Sequence, residues 1–262
     1  WDDMFTAYCE QYPELKAEWD AWHTEELPED VVMNDELWQW DGKIATRATS
    51  GQMINRLAKL LPNLVGGSAD LAPSNLTYIK EGGDYSAENR AGRNLHFGVR
   101  EHAMAAICNA IALHGGLRVF CGTFFVFSDY MKHSMRMSAI MKLPVTYVLT
   151  HDSIGVGEDG ATHEPIEHLA GLRATPDLLV LRPADSAETT VAWKMAMENM
   201  HTPTALILSR QNVNDLPAMN GEGYAARFNE ALQAEKGAYI IYKDDAPDVV
   251  LVGNGSEVGT LL

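Results

Sequence analysis

Apolar positions at the start of the chain recur at helical spacing. Trp1, Phe5, Tyr8 and Tyr12 share one face, Pro13 breaks the run, and Leu15, Trp19 and Trp22 suggest a second helix. Pro28 and the acids around it make residues 1–42 read as a helical connecting arm. From residue 43 the pattern changes. Helical periods over 44–61, 100–114, 124–141 and 186–200 alternate with short apolar runs at 64–65, 95–97, 117–120, 145–150, 178–181 and 205–208. Short apolar runs between helices predict an α/β fold: a doubly wound, mainly parallel sheet with helices on both faces, spanning 43–220. A polar, glycine-bearing linker is expected between Pro217 and Tyr224. Runs at 238–242 and 249–252, separated by a turn at Asp244-Asp245-Ala246-Pro247, then predict the first strands of a further α/β domain within 221–262.

Composition excludes several classes of function. The chain has 262 residues, 46% of them hydrophobic, enough for one large or two modest cores. Its formal net charge of −16 repels phosphate backbones, and no basic run offsets it, so nucleic acid is not an expected partner. An anionic substrate must instead be held by a few local cations. Cys9, Cys108 and Cys121 fit neither a disulfide framework nor a CxxC metal pattern, which points to a reducing, cytoplasmic setting. No apolar run is long enough for a membrane span. Trp1-Asp2-Asp3-Met4 has no signal-peptide character, and Val258-Gly259-Thr260-Leu261-Leu262 stops as a new helix begins, so both ends are expected to be cuts in a longer chain.

Candidate chemistry sits at the ends of the predicted strands, where open α/β sheets bind ligands. The stretch from His151 to His163 packs two imidazoles, three acids, two hydroxyls and three glycines behind the run 145–150. Gly66-Gly67-Ser68-Ala69-Asp70-Leu71-Ala72-Pro73-Ser74-Asn75 follows the first run. Its glycines could let backbone amides approach a ligand, or the segment could be an ordinary turn with Asp70 or Ser74 capping a helix. In Gly98-Val99-Arg100-Glu101-His102, the Glu101 carboxylate suits a helix start for electrostatic reasons alone, or it serves proton transfer if buried. Phe124, Phe127 and Tyr130 recur every three residues, which reads first as a core stripe and second as a surface for stacking a flat ring. Arg210, beyond the run 205–208, and Arg47, near a helix start, suit phosphate or carboxylate capture, with surface ion pairs as the plain alternative. His163, Glu167 and His168 lack the spacing of a zinc motif, and Gly157-Glu158-Asp159-Gly160 lacks that of an EF-hand.

Taken in order, segments 66–77, 98–102, 151–167, Arg182-Pro183-Ala184-Asp185 and 208–212 resemble the transketolases, enzymes dependent on thiamine diphosphate. The resemblance covers nearly the whole chain. It implies the end of a connecting arm, a complete pyrimidine-binding domain and the opening of a C-terminal domain. The domain that binds the diphosphate and its Mg2+ would lie outside this sequence, so no metal ligand is expected within it. By the same resemblance Glu101 activates the cofactor. Phe124, Phe127 and Tyr130 surround its aminopyrimidine, and Asp70 lies near its thiazolium side. Arg47, Ser74, His151 and Arg210 would anchor sugar phosphates, Asp159 would bind a substrate hydroxyl, and His163 would stand close to the reacting oxygens. The implied reaction moves a two-carbon ketol unit from a ketose phosphate to an aldose phosphate, in a homodimer whose site lies at the subunit interface. The rival readings are a non-catalytic fragment or split subunit, and a related thiamine enzyme such as 1-deoxyxylulose-5-phosphate synthase.

Overall fold

A computed structural model describes residues 1–32, 34–38 and 44–262. The boundary expected at residues 42 and 43 lies outside the described residues. Two short helices, α1 (Asp2–Gln11) and α2 (Pro13–Trp22), open the chain, with Pro13 at the first helical position of α2. Neither buries a side chain; they are joined by ring contacts, Phe5 lying 5.3 Å from Trp19. The single turns α3 (Glu29–Val32) and α4 (Asp35–Trp38) lead into the main body.

That body follows the order α5 (Thr46–Leu60), β1 (Leu64–Ser68), α6 (Ala72–Asn75), β2 (Asn94–His96), α7 (Glu101–His114), β3 (Arg118–Phe124), α8 (Ser128–Ile140), β4 (Val145–Thr150), α9 (His168–Arg173), β5 (Leu179–Leu181), α10 (Ser186–Glu198) and β6 (Thr204–Leu208). Among the described residues six strands form one parallel sheet in the order β2-β1-β3-β4-β6-β5. Period-two alternation sorts the side chains of the central strands. Val119, Cys121, Val145, Tyr147, Leu149, Ala205 and Ile207 pack against α7 and α8 on one face. Phe120, Val148, Leu206 and Leu208 pack against α5 and α10 on the other. Burial on both faces is why these strands are continuous apolar runs in the sequence.

Glycines 66 and 67 lie inside β1. A Cβ on Gly66 would come within 2.4 Å of the Phe120 carbonyl oxygen, and one on Gly67 within 1.9 Å of that of Leu95. Their role is close strand packing, which corrects the expectation of a loop approaching a ligand. Nor does Asp70 or Ser74 cap a helix: the residue before α6 is Leu71, with no side-chain cap.

After β2 the chain returns on the opposite side of β1 to form β3, so the strand order reverses between β1 and β3. Such a switch point opens a crevice beyond the carboxyl ends of the strands. Residues 217–222 form neither helix nor strand, and a helix begins at the end of this segment. α11 (Gly223–Ala231) packs on α10 through Arg227, whose guanidinium meets Asp185 at 2.7 Å and Glu188 at 2.9 Å. The runs 238–242 and 249–252 do not form strands. Val249, Val250, Leu251 and Val252 are 64–88% exposed, and no strand among the described residues pairs with them. A lone β-branched segment has no ladder to join. The chain ends in α12 (Val258–Leu261).

Candidate active site

The crevice at the switch point gathers side chains from the ends of β1, β3, β4 and β6. At the end of β3 the backbone passes from strand to a 3-10 turn (Phe125–Phe127) and then into α8. This change of period turns Phe124, Phe127 and Tyr130 into a staircase instead of the expected core stripe. Phe124 is buried, Phe127 half-buried and Tyr130 67% exposed. The Phe124 and Phe127 rings lie 5.9 Å apart and 3° from parallel, with Tyr130 6.2 Å beyond Phe127. Parallel rings stepping out to solvent offer a flat ligand a stacking surface.

His151 follows β4 directly, with φ at +63°, a conformation uncommon for a residue other than glycine. Its ring stacks on Phe124 at 3.7 Å. Nδ1 lies 2.8 Å from the Thr150 hydroxyl, which donates to Asn75 Oδ1 at 2.7 Å. Asn75 in turn donates to Ser68 Oγ at 2.9 Å, and Ser68 meets Thr77 at 2.7 Å. Burial pushes the His151 imidazole down to about pKa 4, and the nearby Arg47 charge adds to the effect. Asp159 opposes the shift, while Arg210 and His163 reinforce it. His163 stands edge-on to the staircase, 6.1 Å from Phe124 and 5.4 Å from Phe127.

Five expected residues, Arg47, His151, Asp159, His163 and Arg210, therefore share one electrostatic neighbourhood. Arg47 lies in the first turn of α5 and donates to the Ser74 main-chain carbonyl, not to its hydroxyl. Its Nε is buried with no hydrogen-bond partner. Burial, then repulsion from Arg210, lowers the Arg47 pKa. Two guanidiniums near enough to repel each other, and to lower the pKa of a neighbouring imidazole, suit the capture of an anion.

Glu101 opens α7 beyond β2 and is 9% exposed; Asp70 lies two residues past β1 with φ at +62°. Among the described residues, neither carboxylate makes a hydrogen bond or ion pair with the other expected site residues. His168, set beside His163 in the sequence, turns away into the core. It meets Asp129 at 3.1 Å and packs on Phe125. The sequence reading gave no role to Asn75 and Thr150. The available signal was a hydroxyl closing an apolar strand immediately before the imidazole. Asp152, the next residue, is buried and tied to Arg182 at 2.7 Å, which also holds Glu257 and accepts from the Gly255 amide. The loop leaving β4 is thus anchored to the end of β5 and to the C-terminal segment.

Comparison with known proteins agrees with this geometry. Residues 42–215 match the family described as "Transketolase, pyrimidine binding domain". The transketolase of Bacillus subtilis (strain 168) is 51% identical over 99% of this chain, which spans 38% of that protein's length. A solved transketolase from Pichia stipitis, in complex with sedoheptulose-7-phosphate, superposes with a TM-score of 0.88 at 41% identity, over 100% of this chain and 38% of that one. A split-gene transketolase, solved as an inactive beta4 tetramer, aligns at 28% identity and a TM-score of 0.54, over 70% of this chain and 57% of that one. Because the family match takes in all six strands and the whole crevice at their carboxyl ends, the chain belongs to the transketolase family and carries its pyrimidine-binding domain.

Proposed function

We propose that this chain supplies the cofactor-activating and phosphate-gripping part of a transketolase active site. The reaction is reversible transfer of a two-carbon ketol unit from a ketose phosphate, such as xylulose 5-phosphate, to an aldose phosphate, such as ribose 5-phosphate or erythrose 4-phosphate. It belongs to the pentose phosphate pathway. When bound, thiamine diphosphate supplies the nucleophilic carbon and electron sink needed to break the ketose C2–C3 bond. Phe124, Phe127 and Tyr130 offer the stacking surface for its aminopyrimidine, and the buried Glu101, with no ion pair among the described residues, suits a carboxyl that holds a proton at a ring nitrogen. Asp70 faces the thiazolium side. Residues outside this chain hold the Mg2+ and diphosphate, and the site closes at the interface of a cytoplasmic homodimer. Residues 1–42 serve as the connecting arm and 221–262 open the next domain.

The observation that carries this reading is the repelling pair Arg47 and Arg210 beside His151. A substrate dianion relieves that repulsion. Arg47, Arg210, Ser74 and His151 grip the phosphate, Asp159 accepts from a substrate hydroxyl, and His163 holds or moves a proton at the reacting oxygens. The test is a coupled assay of the complete enzyme with xylulose 5-phosphate and ribose 5-phosphate, against pyruvate as donor. Activity with pyruvate alone transfers the reading to 1-deoxyxylulose-5-phosphate synthase chemistry. Arg47→Ala and Arg210→Ala should each raise KM for the sugar phosphate about 10- to 100-fold, the range expected for a lost charge-assisted hydrogen bond.

The likeness to a split-gene transketolase favours one second reading, a subunit that completes its site only with another chain. An intact native mass near 28.9 kDa, with thiamine-diphosphate binding only after a diphosphate-binding partner is added, selects it.

A further inference from the structure

The hydrogen-bond chain behind His151 has a direction, and that direction decides what the imidazole offers a ligand. Asn75 spends its amide N–H on Ser68, so its carbonyl oxygen faces Thr150 and accepts the Thr150 hydroxyl proton. The Thr150 oxygen then has only lone pairs to give His151, and the proton on the ring must sit on Nδ1. Nε2 has no protein partner among the described residues. Electrostatics favour the same tautomer. A proton on Nε2 would set a positive edge against Arg47 and Arg210, whereas a lone pair there is attracted by both. The remaining groups facing the ring are Asp159, which favours a protonated imidazole, and His163, which disfavours it; Phe124 covers one face. Ser68, Asn75, Thr77 and Thr150 are all buried, so solvent does not compete for the chain.

We propose that Thr150 and Asn75 are positioning residues that lock His151 as the Nδ1–H tautomer, so that a phosphate monoester seated between Arg47 and Arg210 meets a bare Nε2 and must bring a proton with it. The inference rests on the phosphate-binding reading above. A monoester dianion has no proton of its own to offer a lone pair. One proton is therefore taken from solvent, forms a bond to Nε2, and bridges ring and phosphate; no other bond is made or broken. Burial and the two arginines keep the ring neutral, and the arriving negative charge cancels the arginines' part of that effect.

Calorimetric titration of the complete protein with ribose 5-phosphate, in two buffers of different ionisation heat, counts the protons taken up. At about pH 8 the ester is a dianion, its second pKa being roughly 6. Wild type should take up close to one proton per site. Thr150→Val frees Nδ1, lets the ring switch to the Nε2–H tautomer, and should bring uptake close to zero; Thr150→Ser should restore it. Nitrogen-15 spectra of the His151 side chain read the protonated nitrogen directly in the wild type, which settles the matter if Thr150→Val does not fold. A proton on Nε2 in the free protein, no uptake by wild type, or unchanged uptake in Thr150→Val each overturns the proposal. Undiminished ribose 5-phosphate affinity in His151→Asn would instead remove the phosphate-binding reading, while the spectrum still reports the tautomer.

Discussion

Replacing His151 with asparagine should change how stability depends on pH. The folded imidazole is pushed down to about 4, whereas an unfolded histidine titrates near 6.5. Between these values the unfolded chain binds a proton that the folded chain does not, so stability rises with pH through the window and falls as pH drops from 7 towards 4. For a ring fully withdrawn from water the loss at pH 5 would be about 2 kcal/mol; the ring edge open to the crevice is screened, leaving about 1 kcal/mol. Asparagine tolerates the left-handed backbone at this position and has no titration there. The assay is urea unfolding of both proteins at pH 7 and pH 5. Wild type should lose about 1 kcal/mol more than His151→Asn on going to the lower pH. A gap between the two proteins that stays constant across this range refutes the assignment of a depressed pKa to a buried, Arg47-facing ring.

Glu101→Ala in the complete enzyme should abolish most turnover while leaving the circular dichroism spectrum and unfolding midpoint near wild type; near-normal turnover would remove Glu101 from cofactor activation. Gly67→Ala should destabilise the protein by about 3 kcal/mol or more, since the added Cβ lands 1.9 Å from the Leu95 carbonyl oxygen in the paired strand, and a thermal midpoint within a degree of wild type would contradict that packing. Arg227→Ala should cost about 3–5 kcal/mol in chemical denaturation, because it leaves Asp185, fully buried and capping α10, without its cation.

Where burial on two faces dictates the pattern, sequence and structure coincide. The run Val145–Thr150 becomes β4 over those same residues because every position is covered. The aromatic residues at 124, 127 and 130 mislead for a physical reason. Three-residue spacing implies one helix face only if a single helix spans all three, and here strand, 3-10 turn and α-helix each contribute one. Gly66-Gly67 misleads differently: local sequence cannot distinguish a glycine that admits a ligand from one that admits a neighbouring strand. The segments 249–252 have strand composition without a pairing partner, and composition alone does not make a ladder. Within the site, residue types and strand-end positions were legible. The hydrogen-bond chain from Thr77 to His151 was not, because it joins β1, α6 and β4 across 75 positions of sequence between Asn75 and Thr150.

If a chain of net charge −16 is to bind a dianion, as proposed above, its attraction and its repulsion must act at different distances. Solvated surface acids are screened within about 10 Å at moderate salt, so most of that charge slows the approach of a phosphate but does not reach into the crevice. Inside it, Arg47 is half-buried with an unpartnered Nε, and Arg210 is close enough to disturb it. At such range and reduced dielectric, two guanidiniums outweigh many distant carboxylates. The cost is borne by the fold, in mutual repulsion, in a left-handed backbone at His151 and in an imidazole kept neutral. On the proposed reading, each of these tensions except the backbone angle would be relieved by a single event, the arrival of a dianion with a proton, and a site so arranged would discriminate by charge before it discriminates by shape.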